Sequence, residues 1–261
     1  NICVIGNSHV AALKKSSFQL NCNTLDYYAI PGAGAPDLLL KNGRLFPDYD
    51  SDKGVTYPDF KLGEWVSSNI PQVEIQGLEL DNYDLIVYSG VGLPALRSSN
   101  RNAVNQVVCP FFLPIHYDQS SCEKSIVSLQ AYERLIENEL ESAANICSLR
   151  LLLAHFKGPI LLQHFPVPSK QLLNQPDFDY ASSVSISSLI KWYYKKQIEF
   201  VENLIVEHSN ASYLFDVFEL ADESGFTQNR FSTLNDAWHM NYLYGDEVFK
   251  HLQIYLDNLK K

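Results

Sequence analysis

The sequence predicts an α/β protein: a parallel sheet of about five strands with helices packed on both faces. Three observations lead there. Short apolar runs rich in β-branched residues, such as Ile2-Cys3-Val4-Ile5, have the composition of strands buried on both faces of a parallel sheet. Segments whose apolar residues recur at helical spacing alternate with them, so each connection returns the chain to the same sheet. Three of the strands stop at turns of small residues, and in a parallel sheet such turns gather along the carboxyl edge, where ligands bind. Residues 1–261 are read as one domain.

The first strand, residues 2–5, ends at Gly6-Asn7-Ser8, and Ala11, Ala12, Leu13, Lys14 and Lys15 then have helical composition with the basic residues late. Ser8 therefore stands at a strand-to-helix turn, where free backbone N–H groups and the positive helix end favour a developing negative charge. The competing role for a serine in that place is a helix N-cap. The second strand, residues 25–30, runs into Pro31-Gly32-Ala33-Gly34-Ala35-Pro36, whose small residues let a backbone N–H approach another group closely. A dinucleotide loop needs a third glycine and the first strand-to-helix turn, and this segment offers neither.

Residues 41–83 hold no sustained period and read as a long loop insertion over one edge of the active face. Their aromatics, Phe46, Tyr49, Tyr57, Phe60 and Trp65, either stack on sugar rings or anchor the loop to the body. The third strand, residues 85–88, leads into Ser89-Gly90-Val91-Gly92. Residues 125–155 form one long helix or two consecutive ones. A fourth strand at 159–163 precedes a proline-rich loop, a helix spans 185–208 with its aromatics in the core, a fifth strand covers 211–215, and residues 245–259 close the fold as a helix.

Composition removes several functional classes. With 46% hydrophobic residues the chain can bury a sizeable core, and a formal net charge of −10 argues against nucleic acid as a partner, whose affinity is built from Lys and Arg. The five cysteines are odd in number and contain no Cys-x-x-Cys pair, so buried free thiols are expected. The seven histidines are scattered without ligand spacing, so neither a metal nor another cofactor is expected. No apolar stretch reaches the roughly 20 residues that span a bilayer, and the expected location is the cytoplasm.

Before the last helix comes Asn235-Asp236-Ala237-Trp238-His239-Met240-Asn241. An aspartate three residues before a histidine on one turn can orient the imidazole through Nδ1–H and leave Nε2 to take a proton from a hydroxyl. Ser8, His239 and Asp236 together supply a nucleophile, a base and an orienter. The nucleophile elbow Gly-x-Ser-x-Gly is excluded, because Val10 stands at the second glycine.

With Gly6-Asn7-Ser8 at one end and Asp236-Ala237-Trp238-His239 at the other, the sequence resembles the SGNH hydrolases, also called the GDSL esterase/lipase superfamily. The resemblance implies a flavodoxin-like, three-layer α/β/α sandwich with Ser8, His239 and Asp236 as the triad. Asn7 stands where the family usually has Asp. Asn241 and Gly245 are similar to the segment after the family histidine, with the glycine one position late. Gly32 matches the glycine whose N–H joins that of Ser8 in the oxyanion hole, and Gly34 is the alternative in a shifted register. The family's third-strand asparagine is absent from Ser89-Gly90-Val91-Gly92, which leaves the Gly92 N–H, or a side chain from Asn100 or Asn102, as the substitute donor. Asn7, Gly34 and His164 are candidate substrate contacts, with a structural role as the alternative for His164. The function expected is serine-dependent hydrolysis of an ester, most naturally an O-acetylated carbohydrate. The alternatives are a polysaccharide O-acetyltransferase using the same triad and a non-catalytic carbohydrate-binding domain.

Overall fold

The computed structural model describes residues 1–29, 38–47, 61–65, 71–74, 77–93, 107–109, 125–174 and 183–260. Five parallel strands form its centre: β1 (Ile2–Gly6), β2 (Leu25–Ala29), β3 (Leu85–Val91), β4 (Ile160–His164) and β5 (Ala211–Tyr213). Their order across the sheet is β5-β4-β3-β1-β2, as in flavodoxin-like doubly wound sheets. The chain steps outward from β1 to β2, crosses back to β3 on the other side of β1, and continues away from it. That reversal opens a crevice at the carboxyl ends of β1 and β3, where this architecture binds ligands.

The described helices are α1 (Val10–Lys14), α2 (Leu129–Ser142), α3 (Ala144–His155), α4 (Ser183–Ile205) and α5 (Tyr242–Asn258). Alternation of side chains along the strands divides the core in two. Cys3, Ile5, Ile86, Tyr88, Ile160 and Leu162 pack with Ile136 of α2, Leu149 of α3 and Tyr194 of α4. Ile2, Val4, Leu85, Val87 and Leu161 pack with Leu13 of α1 and with Val248 and Phe249 of α5. Every residue of β1, β3 and β4 is buried, which is why Ile2–Ile5, Leu85–Tyr88 and Ile160–Leu162 are runs of apolar residues rather than alternating ones, with polar residues entering only at the carboxyl ends of β3 and β4. The fold is a three-layer α/β/α sandwich.

Other elements take forms that the sequence left open or read differently. Residues 125–155 contain two helices, because Ala143 is extended (φ −67°, ψ 128°) and breaks the ladder between Ser142 and Ala144. Ser125–Ile126, just before them, pairs with Val107–Val108. β3 continues past Tyr88 through Val91.

The insertion around 41–83 is partly strand rather than loop. Leu38–Lys41 and Arg44–Pro47 form a hairpin over Asn42-Gly43, both at positive φ (52° and 78°), the conformation that makes Asn-Gly a favoured hairpin turn. Leu78–Glu79 adds a third strand to that hairpin. Lys61–Trp65 and Pro71–Glu74 extend the main sheet beyond β2 as antiparallel strands. Phe46 lies against Gly77, where an added Cβ would meet its ring at 2.2 Å, a contact inside the insertion itself. Tyr49, Tyr57 and Phe60 lie outside the described residues.

Cys3 and Cys109 are buried and Cys22 and Cys147 partly buried, none of them in a disulfide, and Cys122 lies outside the described residues. Among the described residues no helix is long and apolar enough to cross a membrane.

Candidate active site

The carboxyl end of β1 brings Ser8 to the crevice, and Asn7 shapes the turn that presents it. Asn7 Oδ1 accepts the His9 N–H (3.1 Å), and Asn7 Nδ2 donates to the Gly90 carbonyl at the end of β3 (3.2 Å). Gly90 has φ +85°, and the Asn7 amide fills the space a Cβ would need, so a side chain there is excluded on both counts. The N-cap of α1 is His9, without a side-chain capping bond. Ser8 instead turns its Oγ to within 3.0 Å of His239 Nε2. Its own N–H makes no hydrogen bond among the described residues.

His239 lies on a short strand, β6 (Asp236–Met240), which pairs antiparallel with Ser232–Thr233. The Asp–His spacing therefore works from a strand rather than from the single turn expected. Asn235 at φ 60° turns the chain into β6. Asp236 then folds over the backbone that follows: Oδ1 accepts the N–H groups of Trp238 (2.9 Å) and His239 (3.0 Å), and Oδ2 lies 2.6 Å from His239 Nδ1. With Nδ1–H donating to Asp236, Nε2 is the nitrogen free to accept the Ser8 proton. Burial pushes the Asp236 carboxyl up, but the two backbone donors and the imidazole outweigh it and hold the group below the usual carboxylate range.

The serine and the histidine are 231 residues apart, and two helices bring them together. Asn241 caps α5, accepting the Leu243 N–H on Oδ1 (2.9 Å) and donating Nδ2 to the carbonyls of Arg230 (2.7 Å) and Ser232 (3.1 Å). This fixes α5 to the hairpin that carries His239. α5 in turn lies against α1, where a Cβ on Gly245 would meet the Ala12 carbonyl oxygen at 2.2 Å. Asp246 strengthens the junction by accepting from Ser16 Oγ (2.6 Å), the Ser17 N–H (2.8 Å) and the Phe18 N–H (3.2 Å).

The other expected site residues fall in different places. Both polar atoms of the Asn7 side chain are engaged with backbone, so it builds the turn. Gly92 backs onto the core: a Cβ there would meet Gln197 Oε1 at 2.5 Å and His164 Cε1 at 2.7 Å. His164 is 3% exposed and sits beside Tyr194 and Tyr213, the structural position rather than a substrate-facing one. Its Nδ1 lies 3.3 Å from the Phe165 carbonyl, its Nε2 has no hydrogen-bond partner among the described residues, and burial lowers its pKa to about 4. Gly32, Gly34, Asn100 and Asn102 lie outside the described residues.

Two residues passed over in the sequence stand at the site. Asn145, near the start of α3, donates Nδ2 to the carbonyls of Gly90 (2.7 Å) and Gly92 (2.5 Å), while its own carbonyl accepts the Tyr88 hydroxyl (2.6 Å). The third-strand turn that lacks an asparagine of its own is thus braced by one more than 50 residues away, and no local pattern announces it. His9 is the other: 5% exposed, its ring lies 5.4 Å from that of His239 at 30° and 4.9 Å from Phe165 at 86°. Its place directly after Ser8 was the available signal. Among the described residues no group of three or more His, Cys, Asp and Glu could hold a metal ion.

Compared with known proteins, the chain matches no family model and no curated protein. Among solved structures it is similar to one from Streptococcus pneumonia described as a candidate platelet activating factor. The similarity is 14% identity with a TM-score of 0.42, over 98% of this chain and 83% of that one, and it is too slight to carry an argument about this chain.

Proposed function

We propose that this protein is a serine-dependent esterase of the SGNH type, acting on an O-acetylated carbohydrate. The observation that carries this reading is the chain from Ser8 Oγ through His239 to Asp236, with successive separations of 3.0 and 2.6 Å at the carboxyl edge of the sheet. Ser8 gives its proton to His239 Nε2 as Oγ attacks the ester carbonyl, and Asp236 stabilises the imidazolium that forms. The oxyanion takes a hydrogen bond from the Ser8 N–H, with Gly32 as the second donor implied by the family resemblance. His239 then protonates the departing alkoxide, leaving an acyl-enzyme on Ser8. Water, deprotonated by His239, releases the acid and restores the serine. The aromatic residues between 41 and 83, together with the resemblance, favour a sugar as the alcohol.

A fluorophosphonate reacts with an activated serine, so intact-mass spectrometry tests the proposal directly. One adduct is expected in the wild type and none in Ser8→Ala, with His239→Ala labelled far more slowly. Absence of an adduct in the wild type refutes the reading. Release of acetate from an O-acetylated sugar at a rate indifferent to added saccharide separates an esterase from an acetyltransferase.

A further inference from the structure

We infer that His9 is a positioning residue for His239, an aromatic brace that keeps the general base aimed at Ser8; this rests on the serine-nucleophile reading above. The His9 ring contacts two others at the carboxyl ends of the strands. Phe165, directly after β4, is pinned by its N–H to the Val91 carbonyl at the end of β3 (3.0 Å). His9, the first residue after Ser8, meets Phe165 edge-on (4.9 Å, 86°). The His9 ring also stacks on His239 (5.4 Å, 30°). The His9 backbone is held as well, by its N–H to Asn7 Oδ1 (3.1 Å), so the brace starts from the same turn that presents the nucleophile.

The hydrogen bonds at His239 Nδ1 and Nε2 act in the plane of the ring and leave it free to rock out of that plane. His239 is one-third exposed at its side chain, so packing on its open side is incomplete. A ring stacked on one face removes that freedom. It also offers a π-face to the imidazolium that forms when Ser8 loses its proton. The brace touches the base, not the reacting ester.

The test separates an aromatic brace from mere filling of volume. His9→Phe keeps a ring, His9→Leu keeps only the bulk, and circular dichroism checks folding of each. The first readout does not depend on turnover: the downfield proton resonance of His239 Nδ1–H in its bond to Asp236, assigned by its disappearance in Asp236→Asn. His9→Phe should keep the resonance and label with fluorophosphonate within about twofold of wild type. His9→Leu should broaden or lose it and label roughly 2- to 13-fold more slowly, the range expected when one aromatic pair is lost. A folded His9→Leu with an unchanged resonance and labelling rate overturns the inference. If His9→Leu does not fold, Phe165→Leu removes only the outer ring, and an unchanged resonance there overturns it equally. A wild type that does not label refutes the nucleophile reading, while the resonance still decides whether His9 holds His239.

Discussion

Acid should destabilise this protein through His164, by an amount that its burial sets. The side chain is 3% exposed, its Nε2 has no hydrogen-bond partner among the described residues, and burial lowers its pKa from 6.5 to about 4. In the unfolded chain the imidazole takes a proton below about pH 6.5. In the folded chain it stays neutral down to about pH 4. Between those values the unfolded state holds one more proton, so stability rises with pH across the interval and is lost as pH falls through it. The slope is about 1.4 kcal/mol per pH unit, so about 3 kcal/mol is lost by the time pH reaches the folded value of about 4. That is a large fraction of the roughly 5–15 kcal/mol that holds a typical domain together. His164→Leu is of similar volume and cannot titrate. Urea unfolding of both proteins from about pH 7.5 down to about pH 4.5 should show the wild type losing about 2–3 kcal/mol more than the variant over the range. Carboxylates such as Asp236 are common to both and cancel. Parallel loss of stability in the two proteins would refute the step from burial to a neutral imidazole.

Three further perturbations follow from the same geometry. Asp236→Asn removes the acceptor for Nδ1–H and should slow fluorophosphonate labelling on the order of 10⁴-fold, read as adduct formation against time, with little change in melting temperature. Gly245→Ala places a methyl 2.2 Å from the Ala12 carbonyl oxygen, so α5 must move off α1; a loss of about 1–3 kcal/mol in thermal or urea unfolding is expected, with slower labelling because Ser8 and His239 separate. Asn145→Ala leaves the Gly90 and Gly92 carbonyls without their amide donor, at about 1 kcal/mol for each bond in a half-buried place, and Asn145→Asp should be worse because it sets a carboxylate against two carbonyl oxygens. Equal melting temperatures for the Ala and Asp variants would show that the amide does not brace this turn.

Much of the sheet was legible because burial on both faces leaves a mark in composition. Ile2-Cys3-Val4-Ile5 and Leu85-Ile86-Val87-Tyr88 carry no polar residue, and both are central strands. The hairpin across Asn42-Gly43 was equally readable, since Asn-Gly favours positive φ at both positions, but the polar, aromatic stretch around it hid the signal. The break at Ala143 was not readable: alanine is the best helix former, and only the packing of α2 and α3 decides where one ends and the next begins.

The sequence by itself determined the order of the five central strands, the turn that carries Ser8, and the pairing of Asp236 with His239 three residues on, because each depends on residues close together in the chain. The tertiary structure alone decided that Ser8 faces a base instead of capping a helix, that His164 sits in the core, and that Asn145 and His9 stand at the site. Those outcomes turn on contacts between segments separated by 50 to more than 200 residues, such as Ser8 with His239 and Asn145 with Gly90. Local propensity and spacing hold no information about such contacts; they exist only once the sheet order and the junction of α1 with α5 have set the distances.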